Sequence, residues 1–301
     1  MLRSNLVGSL VGSAVGDALG SSFEGSYGSE AKPERFLGRW TDDTQMMIGV
    51  AESLLANKGF NGSHLAQVFI KNYEREPWRG YASGPIQVFE WIRSGVAWNK
   101  AAKRLFGGAG SYGNGAAMRV APVGVFYHDD PEQLRSVAHS QSRITHVHEL
   151  GTEGATIQAY AVALAVNACL SSELDPISFI KELKSFTQNK TYELKLEKGW
   201  RLLVETNKRR VARELGNGVE AFNSVPTAIY CFLRNQDSFE DSVLYAISLG
   251  GDTDTIAAMP GAISGAYHGD EAIPGRWKGR LEKGDYVEKL AEKLFSIKNR
   301  K

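Results

Sequence analysis

Glycine recurs at every fourth position near the N-terminus, within a segment whose apolar residues follow helical periodicity. These glycines are Gly8, Gly12, Gly16 and Gly20, and the same spacing returns near the C-terminus with Gly261, Gly265 and Gly269. A glycine inside a helix costs about 1 kcal/mol relative to alanine, so this spacing indicates that another backbone approaches closely. The sequence therefore predicts two helices that pack tightly near the centre of the fold, although it does not specify which element each one contacts.

Two clusters of carboxylates and hydroxyls stand where helices are expected to begin. One covers residues 41–44 (Thr-Asp-Asp-Thr) and the other covers residues 252–255 (Asp-Thr-Asp-Thr). Asp and Thr are favoured at a helix start because their oxygens accept hydrogen bonds from its free N–H groups. One carboxylate suffices for a cap, whereas two close carboxylates repel each other unless a cation lies between them. The clusters are therefore either two ordinary capped helices or two halves of one cation site.

The chemistry of these side chains defines the kind of cation that such a site would hold. Carboxylate and hydroxyl oxygens suit hard ions such as Mg²⁺, Mn²⁺ or Ca²⁺, and they do not suit zinc. An apolar stretch with the character of a helix follows each cluster, over residues 45–55 and 256–269. If the two helix starts face each other, they form a site for two metal ions.

A glycine-rich segment lies between the two clusters in the sequence. Residues 106–119 contain five glycines within ten residues, together with the aromatic residues Phe106 and Tyr112. Glycines free backbone N–H groups to point at an anion such as a phosphate or pyrophosphate, and the aromatic rings could stack on a base. A flexible surface hairpin is the alternative, since no strand clearly precedes the segment as a dinucleotide-binding fingerprint requires.

Helical periodicity predominates along the chain, and the predicted fold is all-α, with one compact multi-helix domain over residues 1–301. The strongest candidate for a strand is Met118–Tyr127, which contains Pro122. His146 and His148 are two residues apart, which would place them on opposite sides of a strand, and without a third ligand they make a poor zinc site. They are therefore interpreted as hydrogen-bonding histidines.

Composition narrows the functional classes. The chain is 43% hydrophobic and 23% charged, as in soluble globular proteins, and its net charge of +1 gives no reason to expect nucleic acid or an anionic membrane as a partner. The apolar N-terminus is interrupted by Asn5 and by glycines, so it is interpreted as part of the fold, and no run is expected to reach the length of a membrane span. Cys169 and Cys231 fit free, buried thiols in a reducing cytoplasm, and a monomer is expected.

Together these residues resemble the ADP-ribosylglycohydrolases, the DraG-type ADP-ribosyl-acceptor hydrolases. The resemblance rests on Gly-Asp-Ala-Leu-Gly at 16–20 with Glu24, on residues 41–44, and on Gly-Asp-Thr-Asp-Thr-Ile-Ala at 251–257. These motifs span nearly the whole chain. The resemblance implies an all-α fold with two Mg²⁺ or Mn²⁺ ions in a cleft. The metal ligands that it implies are Thr41, Asp42, Asp43, Asp252, Asp254 and Thr255.

A finer resemblance connects residues 110–115 and 117–119 to the subgroup that hydrolyses serine-linked ADP-ribose, poly(ADP-ribose) and O-acetyl-ADP-ribose. It implies that the loop holds the pyrophosphate, that aromatic rings hold the adenine, and that a histidine contacts the ligand. The residues that would hold the pyrophosphate are Gly110, Ser111, Tyr112, Gly113 and Asn114. Phe106 and Tyr112 would hold the adenine, and His146 would be the histidine that contacts the ligand. The implied partner is an ADP-ribosylated protein or a small molecule that contains ADP-ribose.

The residues also suit this chemistry on their own. Cleavage at the anomeric carbon of a ribose passes through an oxocarbenium-like state and needs a water and a proton for the leaving group. Two metal ions could hold the ribose hydroxyls and polarise the water, so Asp42, Asp43, Asp252 and Asp254 are predicted to be essential for turnover. Glu24 is the carboxylate near this cluster that is not required as a ligand, and it is predicted to act as base, acid or gate.

Three alternatives to hydrolysis of O-linked ADP-ribose stay open. They are an ADP-ribosyl-arginine hydrolase acting on an N-linkage, a binder of ADP-ribose without catalysis, and a two-metal phosphohydrolase. An arginine-specific enzyme is helped by an acidic recognition pocket, which could be formed by Glu149, Glu153, Asp270 and Glu271 if loops bring them close. Intact acidic clusters argue against a binder that lacks catalysis.

Overall fold

The structure is a computed structural model that describes residues 2–25, 36–171 and 174–298. These residues form α-helices joined by short connections, and the described part of the chain contains no strand beyond an isolated bridge between Gly113 and Glu220. The helices are α1 (Leu2–Gly20), α2 (Asp42–Asn57), α3 (Gly62–Arg75), α4 (Ser83–Arg93), α5 (Trp98–Ala101), α6 (Ala121–Phe126), α7 (Pro131–Ser142), α8 (Glu149–Ser171), α9 (Pro176–Phe186), α10 (Lys190–Arg201), α11 (Lys208–Leu215), α12 (Ala221–Arg234), α13 (Phe239–Ser248), α14 (Thr253–His268), α15 (Gly275–Lys278) and α16 (Gly284–Lys298). The prediction of one compact all-α domain is confirmed for these residues.

Helices α1 and α14 run antiparallel in direct backbone contact. The close approach predicted from the glycine spacing is confirmed, and the structure shows that these two helices are each other's partners. A Cβ atom added to Gly8 would lie 2.3 Å from the carbonyl oxygen of Gly265, and one added to Gly12 would lie 2.4 Å from that of Gly261. Near the other end of the pair, a Cβ atom on Gly20 would lie 2.2 Å from the carbonyl oxygen of Thr253. Since no side chain fits between the two backbones, the end of α1 lies beside the start of α14.

The N-terminal helix is longer and more apolar than its sequence pattern predicts. Residues Leu2–Phe23 reach the length and hydropathy of a membrane-crossing helix, so the prediction that no run approaches this length is wrong. However, 89% of the residues in its most apolar stretch are buried inside the fold. Its apolar character is thus explained by its place in the core, in agreement with the interpretation of the N-terminus as part of the fold.

The predicted strand at Met118–Tyr127 is wrong, because this segment contains helix α6. Pro122 lies in the first turn of that helix, where its missing N–H and fixed φ are tolerated. The segment is buried on all sides, as Val123, Val125 and Phe126 illustrate. Burial of every face removes the polar alternation that distinguishes a strand from a helix, so the apolar run was ambiguous.

His146 and His148 lie in the connection before α8, so their predicted placement on opposite sides of a strand is wrong. Their interpretation as hydrogen-bonding residues is confirmed. His146 Nδ1 lies 2.8 Å from Thr145 Oγ1, and His148 Nδ1 accepts a hydrogen bond from the backbone N–H of Leu150 at 3.1 Å. Both cysteines are free thiols, Cys231 buried and Cys169 half-buried.

Candidate active site

The start of α2 is held in place by a carboxylate from α1. Asp17 is fully buried, and its oxygens accept hydrogen bonds from the backbone N–H groups of Thr41 and Thr44 at 3.0–3.1 Å. Thr44 Oγ1 also donates to Asp17 Oδ2 at 2.5 Å. Asp17 therefore satisfies the N–H group of Thr44 at the helix start. Thr41 Oγ1 accepts from the N–H of Asp43, and the carbonyl oxygen of Arg79 accepts from that of Asp42, so the first turn is capped without the carboxylates of α2. This leaves Asp42 and Asp43 available for another role.

The start of α14 brings a second set of carboxylates together with Glu24. Carboxylate oxygens of Glu24, Asp252 and Asp254 lie within 4.8 Å of one another. Thr253 connects this set to α1, because its hydroxyl donates to the carbonyl oxygen of Gly20 at 2.9 Å and lies 3.2 Å from Glu24 Oε2. The close packing of α1 against α14 is thus what places Glu24, far away in the sequence, beside the second acidic cluster.

The two acidic clusters face each other across one cleft, the arrangement that a two-metal site requires. The charge of Asp254 is among the causes that raise the pKa of Asp43 well above its usual value, after burial itself. Burial and then the charge of Asp17 raise the pKa of Asp42 to about 7, and burial raises that of Asp17 to about 6. So many carboxylates cannot all be ionised in a buried site unless positive charge balances them.

One oxygen atom shows directly that this site suits a cation. Asp43 Oδ2 is buried, and among the described residues it has no hydrogen-bond partner. A buried carboxylate oxygen without a partner is costly, whereas a metal ion would satisfy it. The oxygen-only donor set therefore fits a hard divalent ion, with Thr41, Asp42, Asp43, Asp252, Asp254 and Thr255 all lining the same cleft.

The glycine-rich loop forms another wall of this cleft. The cavity has a volume of about 570 Å³, and Ser111, Gly113 and Asn114 line it together with both acidic clusters. Asn114 Nδ2 donates to Asp252 Oδ2 at 2.5 Å and also lies 3.2 Å from Ser224 Oγ. The loop is therefore joined to the second acidic cluster by a direct hydrogen bond rather than forming a separate surface hairpin.

The aromatic residues of the loop lie in different surroundings. Phe106 lines the cleft, is 68% exposed and adopts a left-handed backbone conformation with φ of 51°. Tyr112 does not line the cleft, because its ring packs edge-on against His148 at 5.5 Å and at a tilt against Phe222 at 6.0 Å. Gly110 likewise lies outside the cavity lining. Of the two predicted adenine contacts, the structure brings Phe106 to the cleft.

His146 also lines the cleft, beneath the glycine-rich loop. A Cβ atom added to Gly115 would lie 3.2 Å from His146 Nε2. Burial, followed by the charge of Arg119, lowers the pKa of His146 to about 3. The imidazole is consequently neutral at physiological pH.

Several residues of the site were not predicted from the sequence. Asp17 belongs to a recognisable motif, but its role of holding the start of α2 depends on helix packing. The segment at Gly80 and 82–85 also lines the cleft, and its only sequence signal was a break in helical periodicity. Arg79 stacks on Trp40 with its Cζ atom 3.6 Å from the ring centroid, and its carbonyl oxygen accepts from the N–H of Asp42 at 2.8 Å. These contacts hold the chain in place where it enters the first acidic cluster.

Fold and site together define a helical protein whose cleft is lined by oxygen ligands that suit divalent cations. The chain belongs to the ADP-ribosylglycohydrolase family, whose model matches residues 1–301. It is therefore an ADP-ribosyl-acceptor glycohydrolase, from a family of enzymes that depend on two metal ions.

Individual relatives agree with this assignment. The chain is 38% identical to the ADP-ribosylhydrolase ARH3 of Mus musculus, over 86% of this chain and 77% of the relative. A solved structure described as an ADP-ribosylglycohydrolase-related protein complex matches with a TM-score of 0.80 and 27% identity, over 99% of both chains. A more distant relative is the ADP-ribosylarginine hydrolase Tri1 of Pseudomonas putida, 24% identical over 86% of this chain and 66% of that protein.

Proposed function

We propose that this enzyme removes ADP-ribose from oxygen-linked acceptors, such as serine side chains, poly(ADP-ribose) or O-acetyl-ADP-ribose, with two Mg²⁺ or Mn²⁺ ions. The observation that carries the proposal is the single cleft in which both acidic clusters meet the Ser111–Gly115 loop. This loop resembles that of the oxygen-linkage subgroup, and the relatives named ARH3 are more similar to this chain than the arginine hydrolase Tri1 is.

The acidic clusters suit the reacting end of the substrate. The ions would be held by Thr41, Asp42, Asp43, Asp252, Asp254 and Thr255. When bound, they would supply Lewis-acid chemistry that holds the ribose hydroxyls and polarises a water. The chain itself supplies the orientation, because Asp17 fixes the first cluster and Asn114 fixes Asp252 through their hydrogen bonds.

Glu24 is suited to move the proton. Hydrolysis requires one proton to leave the attacking water and one to reach the leaving oxygen. Glu24 lies beside Asp252 and Asp254 but is exposed, and its side chain is held by the hydroxyl of Thr253. It can therefore take a proton from the water and deliver one to the acceptor oxygen, while the more buried carboxylates hold the ions.

The distribution of acidic residues disfavours an arginine acceptor. Among the described residues, the carboxylates that line the cleft are Glu24, Asp42, Asp43, Asp252 and Asp254, which already have roles. The four acidic residues considered for an arginine pocket lie outside the cavity lining. Glu153 accepts hydrogen bonds from Thr187 and Gln188, and Asp270 pairs with Lys278 at 2.5 Å. These partners satisfy Glu153 and neutralise Asp270 away from the cleft.

Matched peptides test the proposed linkage. Two peptides of one sequence, with a single ADP-ribose on serine or on arginine, are incubated with enzyme and Mg²⁺, and initial rates of ADP-ribose release are compared. The serine peptide is expected to react faster. Faster release from arginine would overturn the proposed linkage while leaving the family assignment intact.

The same assay distinguishes glycosidic hydrolysis from ADP-ribose binding without catalysis and from phosphate release. Exhaustive EDTA treatment is expected to stop release of ADP-ribose, and Mg²⁺ or Mn²⁺ is expected to restore it. Asp252→Ala is expected to abolish turnover and leave the helical circular dichroism spectrum largely unchanged. Binding of ADP-ribose without any turnover would indicate a binder, and release of inorganic phosphate from ADP-ribose would indicate a phosphohydrolase.

A further inference from the structure

Behind the cleft lies a buried arginine that pairs with no carboxylate among the described residues. Arg119 is fully buried in the described structure, and its guanidinium donates hydrogen bonds to neutral acceptors. Nε donates to Gln141 Oε1 at 2.8 Å, Nη2 donates to the Gln141 carbonyl oxygen at 3.0 Å, and Nη1 donates to Thr145 Oγ1 at 2.9 Å. Burying a charged group costs free energy, so we expect Arg119 to have a functional role.

Two of the acceptors of Arg119, Gln141 and Thr145, connect it to the substrate cleft; the third is Met46 Sδ, which lies 3.8 Å from Nη1. Gln141 Nε2 donates to the carbonyl oxygen of Ala116 at 3.0 Å, at the end of the glycine-rich loop. Thr145 Oγ1 lies 2.8 Å from Nδ1 of His146, whose ring lines the cleft. One guanidinium therefore fixes both the loop and the histidine beneath it.

The direction of the bond between Thr145 and His146 follows from the inventory of donors and acceptors. The guanidinium can only donate, so Thr145 Oγ1 accepts from Arg119. Thr145 is fully buried, and among the described residues its hydroxyl has Arg119 and His146 as its partners. If Nδ1 carried the proton and donated to Oγ1, the hydroxyl hydrogen would be buried without an acceptor, at the cost of an unmade hydrogen bond. The hydroxyl therefore donates to an unprotonated Nδ1.

We propose that Arg119 and Thr145 are positioning residues that hold His146 as the neutral tautomer protonated on Nε2, with this N–H directed into the cleft. Nε2 lies close to Gly113 and Gly115, since Cβ atoms added there would be 3.5 Å and 3.2 Å from it. The group that it would contact is an acceptor oxygen of an anionic ligand, and naming this ligand as the pyrophosphate of ADP-ribose rests on the proposed function. A neutral donor binds such an oxygen without exchanging a proton with it.

The burial of the ring and the nearby cation support this state. The imidazole is 5% exposed, and Arg119 is the charged group that opposes a second proton on it, after burial itself. Burial lowers the pKa of Arg119 to about 9, and Tyr81 and then Asp42, on α2, partly oppose this shift. Protonated His146 beside a protonated Arg119 would place two cations in one buried region.

The tautomer is measurable in the ligand-free enzyme with Mg²⁺ present. Long-range ¹H–¹⁵N correlation spectra of protein labelled on histidine nitrogens report which ring nitrogen carries the proton, and the His146→Gln variant identifies the signals of His146. The expected result is an Nε2–H tautomer. Protonation of Nδ1, or of both nitrogens, would overturn the proposal.

Two variants test the role of Thr145, one that keeps the shape of the side chain and one that keeps its hydroxyl. Thr145→Val removes the hydroxyl and is expected to allow a mixture of both tautomers and to weaken ADP-ribose binding about tenfold by calorimetry, as expected for one lost hydrogen bond. Thr145→Ser is expected to restore both. A Thr145→Val protein whose His146 keeps the Nε2–H tautomer would overturn the positioning role. If the unmodified enzyme does not bind ADP-ribose, the proposed function is refuted. The spectra of the ligand-free enzyme test the tautomer of His146 independently of that result.

Discussion

Gly16 and Ala257 bring the backbones of α1 and α14 into direct contact at the level of the active site. A Cβ atom added to Gly16 would lie 2.2 Å from the carbonyl oxygen of Ala257 and 2.9 Å from the Cα atom of Ala258. Asp17, which holds the first acidic cluster, is the next residue, and Ala257 follows the second cluster by two residues. This contact therefore sets the distance between the two halves of the cleft.

Gly16→Ala is expected to lower the free energy of unfolding by about 2 kcal/mol or more, because the obstacle is backbone that cannot rotate away. Even the folded fraction is expected to bind metal ions more weakly, since separation of α1 from α14 moves the two clusters apart. Thermal unfolding and titration with Mg²⁺ measure these effects. Gly275→Ala is the matched control, because no other heavy atom lies within 4 Å of the added Cβ. A Gly16→Ala protein as stable as this control would contradict the proposed constraint.

The glycine spacing and the paired carboxylates were predictable from the sequence because they depend on local chemistry. Four-residue glycine spacing has a physical cost that needs a reason, and paired carboxylates at a helix start repel one another. By contrast, the positions of Asp17, Arg119 and Thr145 result from packing between distant elements. No local pattern distinguishes an aspartate that caps another helix from one that faces solvent. The error at α6 has the same origin, because complete burial of that helix removed its polar face.

In the metal-free enzyme, stability is expected to depend on pH through the buried carboxyls. Their folded-state pKa values are raised, to about 6 for Asp17 and about 7 for Asp42, so the folded state binds more protons than the unfolded state between about pH 4 and pH 7. The stability that these protonated carboxyls contribute is fully present below their pKa in the unfolded state. It is lost as the pH rises through their pKa in the folded state. Bound metal ions are expected to remove the effect.

The Asp43→Asn variant tests how much one of these buried carboxyls contributes to the pH dependence of stability. The pKa of Asp43 is raised well above its usual value by burial and by Asp254, so the variant lacks a carboxylate that is costly at neutral pH. After EDTA treatment, denaturant unfolding is expected to show that it is more stable than the unmodified protein at pH 8 by about 1 kcal/mol. The difference is expected to shrink at pH 5. A constant difference across this range would show that the carboxyl does not titrate as proposed.

Glu24→Gln is expected to reduce turnover at least about 100-fold, the range in which general acid–base groups contribute. Affinity for ADP-ribose is expected to stay close to that of the unmodified enzyme. Gln has nearly the shape of Glu, and its amide NH2 can donate to the hydroxyl oxygen of Thr253, which lies 3.2 Å from Glu24 Oε2, so the side chain is expected to keep its position. Single-turnover kinetics and calorimetry separate the two effects, with the exposed Glu271→Gln as control. Lost affinity with normal turnover of bound substrate would make Glu24 a binding residue instead.

Phe106 combines backbone strain with exposure at the mouth of the cleft. Its φ of 51° and ψ of 46° lie in the left-handed region, which costs a residue with a Cβ atom roughly 1–2 kcal/mol. Because the Phe106 side chain is 68% exposed, burial of its ring does not offset this cost. Strain of this kind is common where a ligand contact requires a particular backbone conformation, and stacking on a base is worth about 1–3 kcal/mol.

Replacement of Phe106 by glycine and by alanine separates strain from binding. Both variants lose the ring, so both are expected to bind ADP-ribose at least about tenfold more weakly by calorimetry. Glycine adopts the left-handed conformation without strain, so Phe106→Gly is expected to be about 1 kcal/mol more stable than Phe106→Ala in denaturant unfolding. Unchanged affinity in both variants would show that the ring does not contact the ligand. Equal stability of the two variants would show that this backbone conformation stores no strain.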